Sequence, residues 1–286
     1  HRGGKGINRM RVKEEDTIDH IRYTQTHDNI LFFTNKGKAY QLRAFEINES
    51  SRLSKGTAIV NLLNIESSEK VESFVTYGKD EKTGFVFLTT KNGTVKKTSL
   101  SEFENIKRNG IVAIKLDLGD ELAWSALTIG DNNVVIVTKG GKAIRFSEKS
   151  VRPMGRATTG VRGIKLTKDD EVIGMDIIPK EGKRDLLTIM GNGLGKKTSV
   201  DLFRGQSRGG QGVKVAKVTP KTGQVVIAQV ISPNCEEIII TSTLGHVLKL
   251  TINSIPRLSR NTQGVILMRF TDKSDKISSA TCIEKS

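Results

Sequence analysis

The chain has 286 residues, with 46 Lys plus Arg against 31 Asp plus Glu, so its formal net charge is +15. That length allows a large core, and charge of that size and sign points to a polyanionic partner, nucleic acid ahead of an anionic membrane surface. The sequence excludes a spanning helix, having no run of about 18 apolar residues, and it lacks a signal peptide's apolar stretch; Cys235 and Cys282 form no CxxC and four histidines lack ligand spacing, which fits reduced thiols in the cytoplasm without a metal site.

In chain order the elements repeat. Residues 1–26 carry Gly6-Ile7 and then the apolar Ile18 and match only the second half of a unit, so the first unit is expected to have lost its opening hairpin. The next unit, 27–78, opens with the β-branched and aromatic stretch Ile30 to Phe33, turns at Asn35-Lys36-Gly37-Lys38, and returns through Ala39 to Leu42. A polar, basic loop leads to Gly56-Thr57, and Val71 opens a last strand. The same order recurs in 79–130, 131–183, 184–233 and 234–286. Turn glycines are Gly37, Gly93, Gly141, Gly193 and Gly245, in hairpins that need the positive φ glycine allows. A second glycine column runs Gly6, Gly56, Gly110, Gly160, Gly212 and Gly264, spaced by 50, 54, 50, 52 and 52 residues. The apolar column Ile18, Val71, Leu122, Val172, Val225 and Ile277 keeps phase with both. Such self-similarity is the mark of a repeat fold. Four strands per unit, in about six units, predict an all-β, six-bladed ring in one domain over 1–286, because each blade must bury its faces against its neighbours.

Basic residues keep phase too. In and after the hairpin turns stand Lys36 and Lys38, Lys96 and Lys97, Lys142 and Arg145, Lys196 and Lys197, and Lys249. Before the second glycine column stand Arg2 and Lys5, Arg52 and Lys55, Lys107 and Arg108, Arg152 and Arg156, Arg204 and Arg208, and Arg257 and Arg260. In a ring of equivalent blades these positions fall on one circumference, so a basic rim is predicted. Bending duplex DNA halfway round a disc of roughly 20–25 Å radius costs on the order of 10–15 kcal/mol. Only many distributed phosphate contacts offset that cost, and such contacts read little sequence. Taken singly, a basic loop is more often a solvated face than a site; the phase is what raises it. The pairs Gly3-Gly4 and Gly209-Gly210 allow the backbone to approach a phosphate with its amides.

Arg2-Gly3-Gly4-Lys5-Gly6 resembles the end of the gyrase A box, Gln-Arg-Arg-Gly-Gly-Lys-Gly, and Gln206-Ser207-Arg208-Gly209-Gly210-Gln211-Gly212 is a box-like second copy. Met154 to Gly163 and Gly191 to Thr198 are similar to later blades of the same family. Over essentially its whole length the chain resembles the C-terminal domain of the gyrase A protein of bacteria. The resemblance implies a six-bladed β-pinwheel, a propeller-like disc of four-stranded blades that exchange strands. It implies wrapping of duplex DNA for negative supercoiling by DNA gyrase, with no chemistry and no cofactor in this part of the protein. The implied partners are DNA, the rest of the gyrase A protein and the gyrase B protein in a heterotetramer; no membrane partner is expected, and the isolated domain is expected to be monomeric. The expected DNA contacts are Arg2, Gly3, Gly4, Lys5, Gly6, Lys55, Lys96, Lys97, Lys142, Arg145, Arg156, Arg162, Lys196, Lys197 and Arg208, with no catalytic or metal residues. His1 stands where the family has its first box arginine, and the chain ends at Glu284-Lys285-Ser286 without an acidic tail.

Three other readings compete. The equivalent domain of topoisomerase IV shares the fold but usually has fewer blades and a degenerate box. A kelch-type interaction scaffold has a similar period, but its tryptophan is absent, the chain having only Trp124. A propeller enzyme would need clustered carboxylates, recurrent histidines or metal ligands. Gly195-Lys196 fails as a phosphate-binding loop, since Met190 replaces the first glycine and Lys197 stands where Ser or Thr should hold the metal.

Overall fold

The computed structural model describes residues 25, 27–47 and 59–284. In chain order its strands are β1 (Asn29–Thr34), β2 (Lys38–Arg43), β3 (Val71–Tyr77), β4 (Phe85–Thr90), β5 (Thr94–Ser99), β6 (Ile111–Val112), β7 (Leu122–Thr128), β8 (Asn133–Thr138), β9 (Lys142–Ser147) and β10 (Val161–Arg162). There follow β11 (Val172–Ile178), β12 (Asp185–Met190), β13 (Leu194–Ser199), β14 (Val213–Lys214), β15 (Val225–Val230), β16 (Cys235–Ser242), β17 (Val247–Thr251), β18 (Val265–Ile266) and β19 (Ile277–Glu284). The only helical elements among the described residues are short 3-10 turns, such as Glu148–Ser150 after β9.

These strands form five antiparallel sheets, ordered β3-β1-β2-β6, β10-β5-β4-β7, β11-β8-β9-β14, β15-β12-β13-β18 and β17-β16-β19. Each centres on a hairpin whose turn closes on a glycine: the Gly37, Gly93 and Gly141 amides donate to the carbonyls of Thr34, Thr90 and Thr138. The central strands are buried on both faces, as the unbroken burial of Val134, Val135, Ile136 and Val137 shows. The outer strand of each four-stranded sheet belongs to the next repeat. Ile111 pairs with Ala39, Val161 with Val95, Val213 with Ala143 and Val265 with Gly195.

The expected six blades are corrected to five. A blade is built on its hairpin, and the described residues hold five hairpin-centred sheets; residues 1–26, with their Gly6 column member, lie outside the described residues apart from residue 25. The repeat boundaries also differ in kind from the sheets, since each strand exchange joins two successive repeats. The cysteines differ from the expected thiols as well. Cys235 on β16 and Cys282 on the neighbouring β19 form a disulfide, their Cα atoms 5.7 Å apart, within bridging range.

The chain divides into two compact units. One holds the described residues within Tyr23–Asn132 and Ser147–Gly163, and the other those within Asn133–Phe146 and Ile164–Ser286. The first is packed around Leu31, Phe33, Val86, Leu88 and Phe103. In the second, Leu187, Ile189, Ile238 and Leu267 form one core cluster and Val135, Val137, Leu186 and Phe203 another.

The second glycine column has a reason beyond turning. A Cβ on Gly264, at φ +79°, would lie 2.5 Å from the Gly195 carbonyl oxygen, and one on Gly212 would lie 2.5 Å from that of Ala143. Glycine is required where the exchanged strand crosses the preceding hairpin. Replacing Gly264 by alanine is expected to lower the unfolding free energy by about 2–4 kcal/mol, from left-handed strain plus the backbone clash. Gly155, with open space around it and no positive φ, should tolerate alanine with a loss below about 0.5 kcal/mol. Urea unfolding of the two variants checks the contrast.

Candidate nucleic-acid interface

The loops before Gly160, Gly212 and Gly264 run beside the returning strand of the preceding repeat. Pro153 bridges Lys97 in parallel, Gly205 bridges Arg145 and Arg257 bridges Lys197. One residue on, the amides of Met154, Gln206 and Leu258 donate to the carbonyls of Lys97, Arg145 and Lys197 at 2.8 Å each. Four residues after each of those amides, the carbonyls of Thr158, Gly210 and Thr262 accept from the amides of Lys115, Lys165 and Lys217 at 3.0, 2.8 and 3.0 Å. Between these two anchors sits an arginine at the same phase each time: Arg156, Arg208 and Arg260, all half-exposed. The Nη1 atoms of Arg156 and Arg260 each donate one bond, 3.3 Å long, to the carbonyls of Val112 and Lys214 on the exchanged strands. A guanidinium has five donors, so both retain donors for a phosphate. In the box-like loop Gly209 adopts φ +83°, a conformation that Ala157 and Asn261 do not take at the same place.

Two of these loops rest on a buried lysine. Lys96 is 0 % exposed, and its Nζ donates to the carbonyls of Ala113, at 2.7 Å, and of Arg156. Lys196, also 0 % exposed, donates to the carbonyls of Ser259, at 2.7 Å, and Arg260, and to Thr262 Oγ1 at 2.9 Å. Under the middle loop stands Ile144, whose Cδ1 lies 3.5 Å from the Cβ position of Gly210. Burial lowers the ammonium of Lys96, beside Arg156, and that of Lys196, beside Arg260, to about 8 from the ordinary 10.5. The unfolded chain therefore binds more protons than the folded one between about pH 8 and 10.5, and stability attributable to these lysines rises with pH across that window. The difference in unfolding free energy between the parent chain and a Lys96→Met, Lys196→Met variant is expected to move in the parent's favour from pH 8 to pH 10, as followed by denaturant titration.

A family model described as DNA gyrase C-terminal domain, beta-propeller, matches residues 28–76, 84–128, 132–179, 185–232 and 236–284. The chain belongs to this family. The five matched segments coincide with the five hairpin-centred repeats. The DNA gyrase A protein of Salmonella typhimurium (strain LT2) is 42% identical over 271 residues, covering 95% of this chain and 30% of the relative. The DNA gyrase A protein of Staphylococcus aureus (strain NCTC 8325) is 38% identical over 273 residues, covering 95% of this chain and 31% of the relative. The chain thus spans about a third of the length of these relatives. Among solved structures, a DNA gyrase A C-terminal domain superposes with TM-score 0.82 at 25% identity, covering 99% of this chain and 91% of that one. The C-terminal domain of a DNA topoisomerase IV superposes at 0.80 with 23% identity, covering 91% of this chain and 80% of that one, a likeness of fold.

Within this gyrase-family fold the sequence-predicted contacts separate into distinct places. Arg2, Gly3, Gly4, Lys5, Gly6 and Lys55 lie outside the described residues. Arg156 and Arg208 lie in the anchored loops, and Arg162 is exposed on the exchanged strand β10. Lys142 is half-buried on β9, opposite Lys214. Lys96, Lys97 and Lys196 are buried instead of standing on a rim. Arg145 and Lys197 are half-buried and, with Lys97, form a third kind of contact. Their side chains donate 3.0 Å hydrogen bonds to the first carbonyl of the next repeat's 3-10 turn: Lys97 to Glu148, Arg145 to Val200 and Lys197 to Ile252. These five basic side chains hold successive repeats together or support loops. Burial lowers the pKa of Lys197 as well.

Sequence reasoning missed Glu148. It is 0 % exposed, accepts from Thr128 Oγ1 and from the amides of Gly130 and Asn132, and faces Lys97 Nζ at 3.6 Å. It also missed Arg260 as a contact; its guanidinium lies 6.0 Å from the Phe203 ring centroid. The phase that gave Arg156 and Arg208 identifies Arg260 directly. Among the described residues no cluster of His, Cys, Asp or Glu could hold a metal ion, and no helix is long and apolar enough to cross a membrane.

Proposed function

We propose that this chain binds duplex DNA through its phosphates, with little sequence preference, and bends it along the loops that carry Arg156, Arg208 and Arg260. The observation behind this reading is their identical setting: each arginine stands between two backbone anchors, in a chain whose family is described as the DNA gyrase C-terminal domain. Pre-ordered loops reduce the entropy lost on binding, and each neutralised phosphate contributes a salt slope of about −0.9. As part of a gyrase, with the rest of the gyrase A protein and a gyrase B protein, the domain supplies the DNA bend that lets ATP-driven strand passage introduce negative supercoils. Its own part is binding and not chemistry.

The test is topological. Nicked or relaxed circular DNA incubated with the chain, then closed or relaxed by a separate enzyme, should retain a shifted linking number that grows with protein added. An unchanged linking number at saturating protein contradicts wrapping.

A further inference from the structure

A second set of basic residues lies beside the loop arginines, and it follows the glycine column where the first precedes it. Five residues after Gly110, Gly160, Gly212 and Gly264 stand Lys115, Lys165, Lys217 and Arg269. All four are exposed. Their surroundings are apolar and turned inward. The two residues before Lys115, Lys217 and Arg269 are Ala113-Ile114, Val215-Ala216 and Leu267-Met268, each buried to 3 % exposure or less, and Ile164 before Lys165 is equally buried. The residues after them, Leu116, Leu166, Val218 and Phe270, are half-buried. A cation thus occupies the one outward position of an otherwise apolar segment, four times in phase. None of the four side chains makes an ion pair among the described residues.

The backbone fixes where these cations stand. The amides of Lys115, Lys165 and Lys217 donate to Thr158, Gly210 and Thr262, each two residues past the loop arginine of the next repeat. One hydrogen bond and two residues separate the members of each pair, so Lys115 stands beside Arg156, Lys165 beside Arg208 and Lys217 beside Arg260, within roughly 10 Å by backbone dimensions. We infer that Lys115, Lys165 and Lys217 form a second row of DNA phosphate contacts, each supplied by one repeat beside the loop arginine of the next, and that Arg269, exposed at the same phase, belongs to the same row. Such a unit grips the DNA backbone only when two repeats are correctly joined, which couples strand exchange to binding.

This assignment rests on the DNA-binding reading, and the experiment separates the two. Duplex DNA binding is measured against salt for the parent chain, for a Lys115→Ala, Lys165→Ala, Lys217→Ala, Arg269→Ala variant, and for a charge-matched control altered at the exposed Lys79, Lys149, Lys183 and Lys273. The row variant is expected to lose about 0.9 of salt slope per contacting side chain and at least tenfold in affinity at about 0.1 M salt, with its thermal midpoint unchanged. The control should lose little slope. A row variant that keeps the parent's slope and affinity overturns the assignment while leaving DNA binding standing. Equal losses in row and control also overturn it, by reducing the effect to net charge. A parent chain that fails to bind duplex DNA overturns both readings.

Discussion

Replacing Lys97 by methionine is expected to lower the unfolding free energy by about 3–5 kcal/mol, because it leaves the Glu148 carboxylate buried without its cation. Glu148 is 0 % exposed and its Oε2 has no hydrogen-bond partner, the Lys97 ammonium at 3.6 Å being its compensation. The other repeats show the alternative solution at this position: Ala44, Leu100, Val200 and Ile252 occupy the phase of Glu148. A Lys97→Met, Glu148→Leu double variant is therefore expected to recover most of the loss, since a well-packed apolar pair can equal a buried ion pair. Full recovery is not expected, because the Gly130 and Asn132 amides that Glu148 caps lose their acceptor. Guanidinium unfolding of the two single variants and the double variant gives the coupling energy directly. Equal stability of parent and Lys97→Met would contradict the clamp.

The largest expected effect on binding comes from the loop arginines. An Arg156→Ala, Arg208→Ala, Arg260→Ala variant is expected to bind duplex DNA roughly a hundredfold or more weakly at about 0.1 M salt, with the salt slope reduced by about 0.9 for each arginine. The fold should survive, because all three side chains reach solvent and the loops are anchored by backbone hydrogen bonds that alanine preserves. Fluorescence anisotropy at several salt concentrations measures slope and affinity together. Losing affinity without slope would mean that the arginines shape the loops instead of neutralising phosphates.

The contrast between these two sets explains what the sequence could disclose. The glycine columns were legible because two physical demands, positive φ and close backbone approach, leave no substitute at positions such as Gly264. The hairpins were legible from β-branched runs broken by those glycines. The exchanged strands were not readable from the residues themselves, since a two-residue element such as Val161–Arg162 has no period to detect. The blade number failed for a related reason: counting the glycine column includes Gly6, but a blade needs its own hairpin. The site divided along burial. Loop arginines stand where a basic residue ordinarily stands, in solvent. Lys96, Lys97 and Lys196 read as surface charge because lysine is rarely buried unless paired, yet the columns carried a warning. Lys96 and Lys196 share their phase with Tyr40, Ile144 and Leu248, an interior register in which a lysine must find acceptors. The carbonyls of the arginine loops provide them, so the same cations that stabilise the fold hold the binding loops in place.

Hydroxyl-radical footprinting of the chain on a long linear duplex tests the central claim most directly. Phosphates gripped at successive repeats should give protection that recurs about every 10 base pairs across several helical turns, fading together as salt rises. A single protected patch of one turn or less, or uniform cleavage at saturating protein, would contradict an interface built from anchored loops in successive repeats.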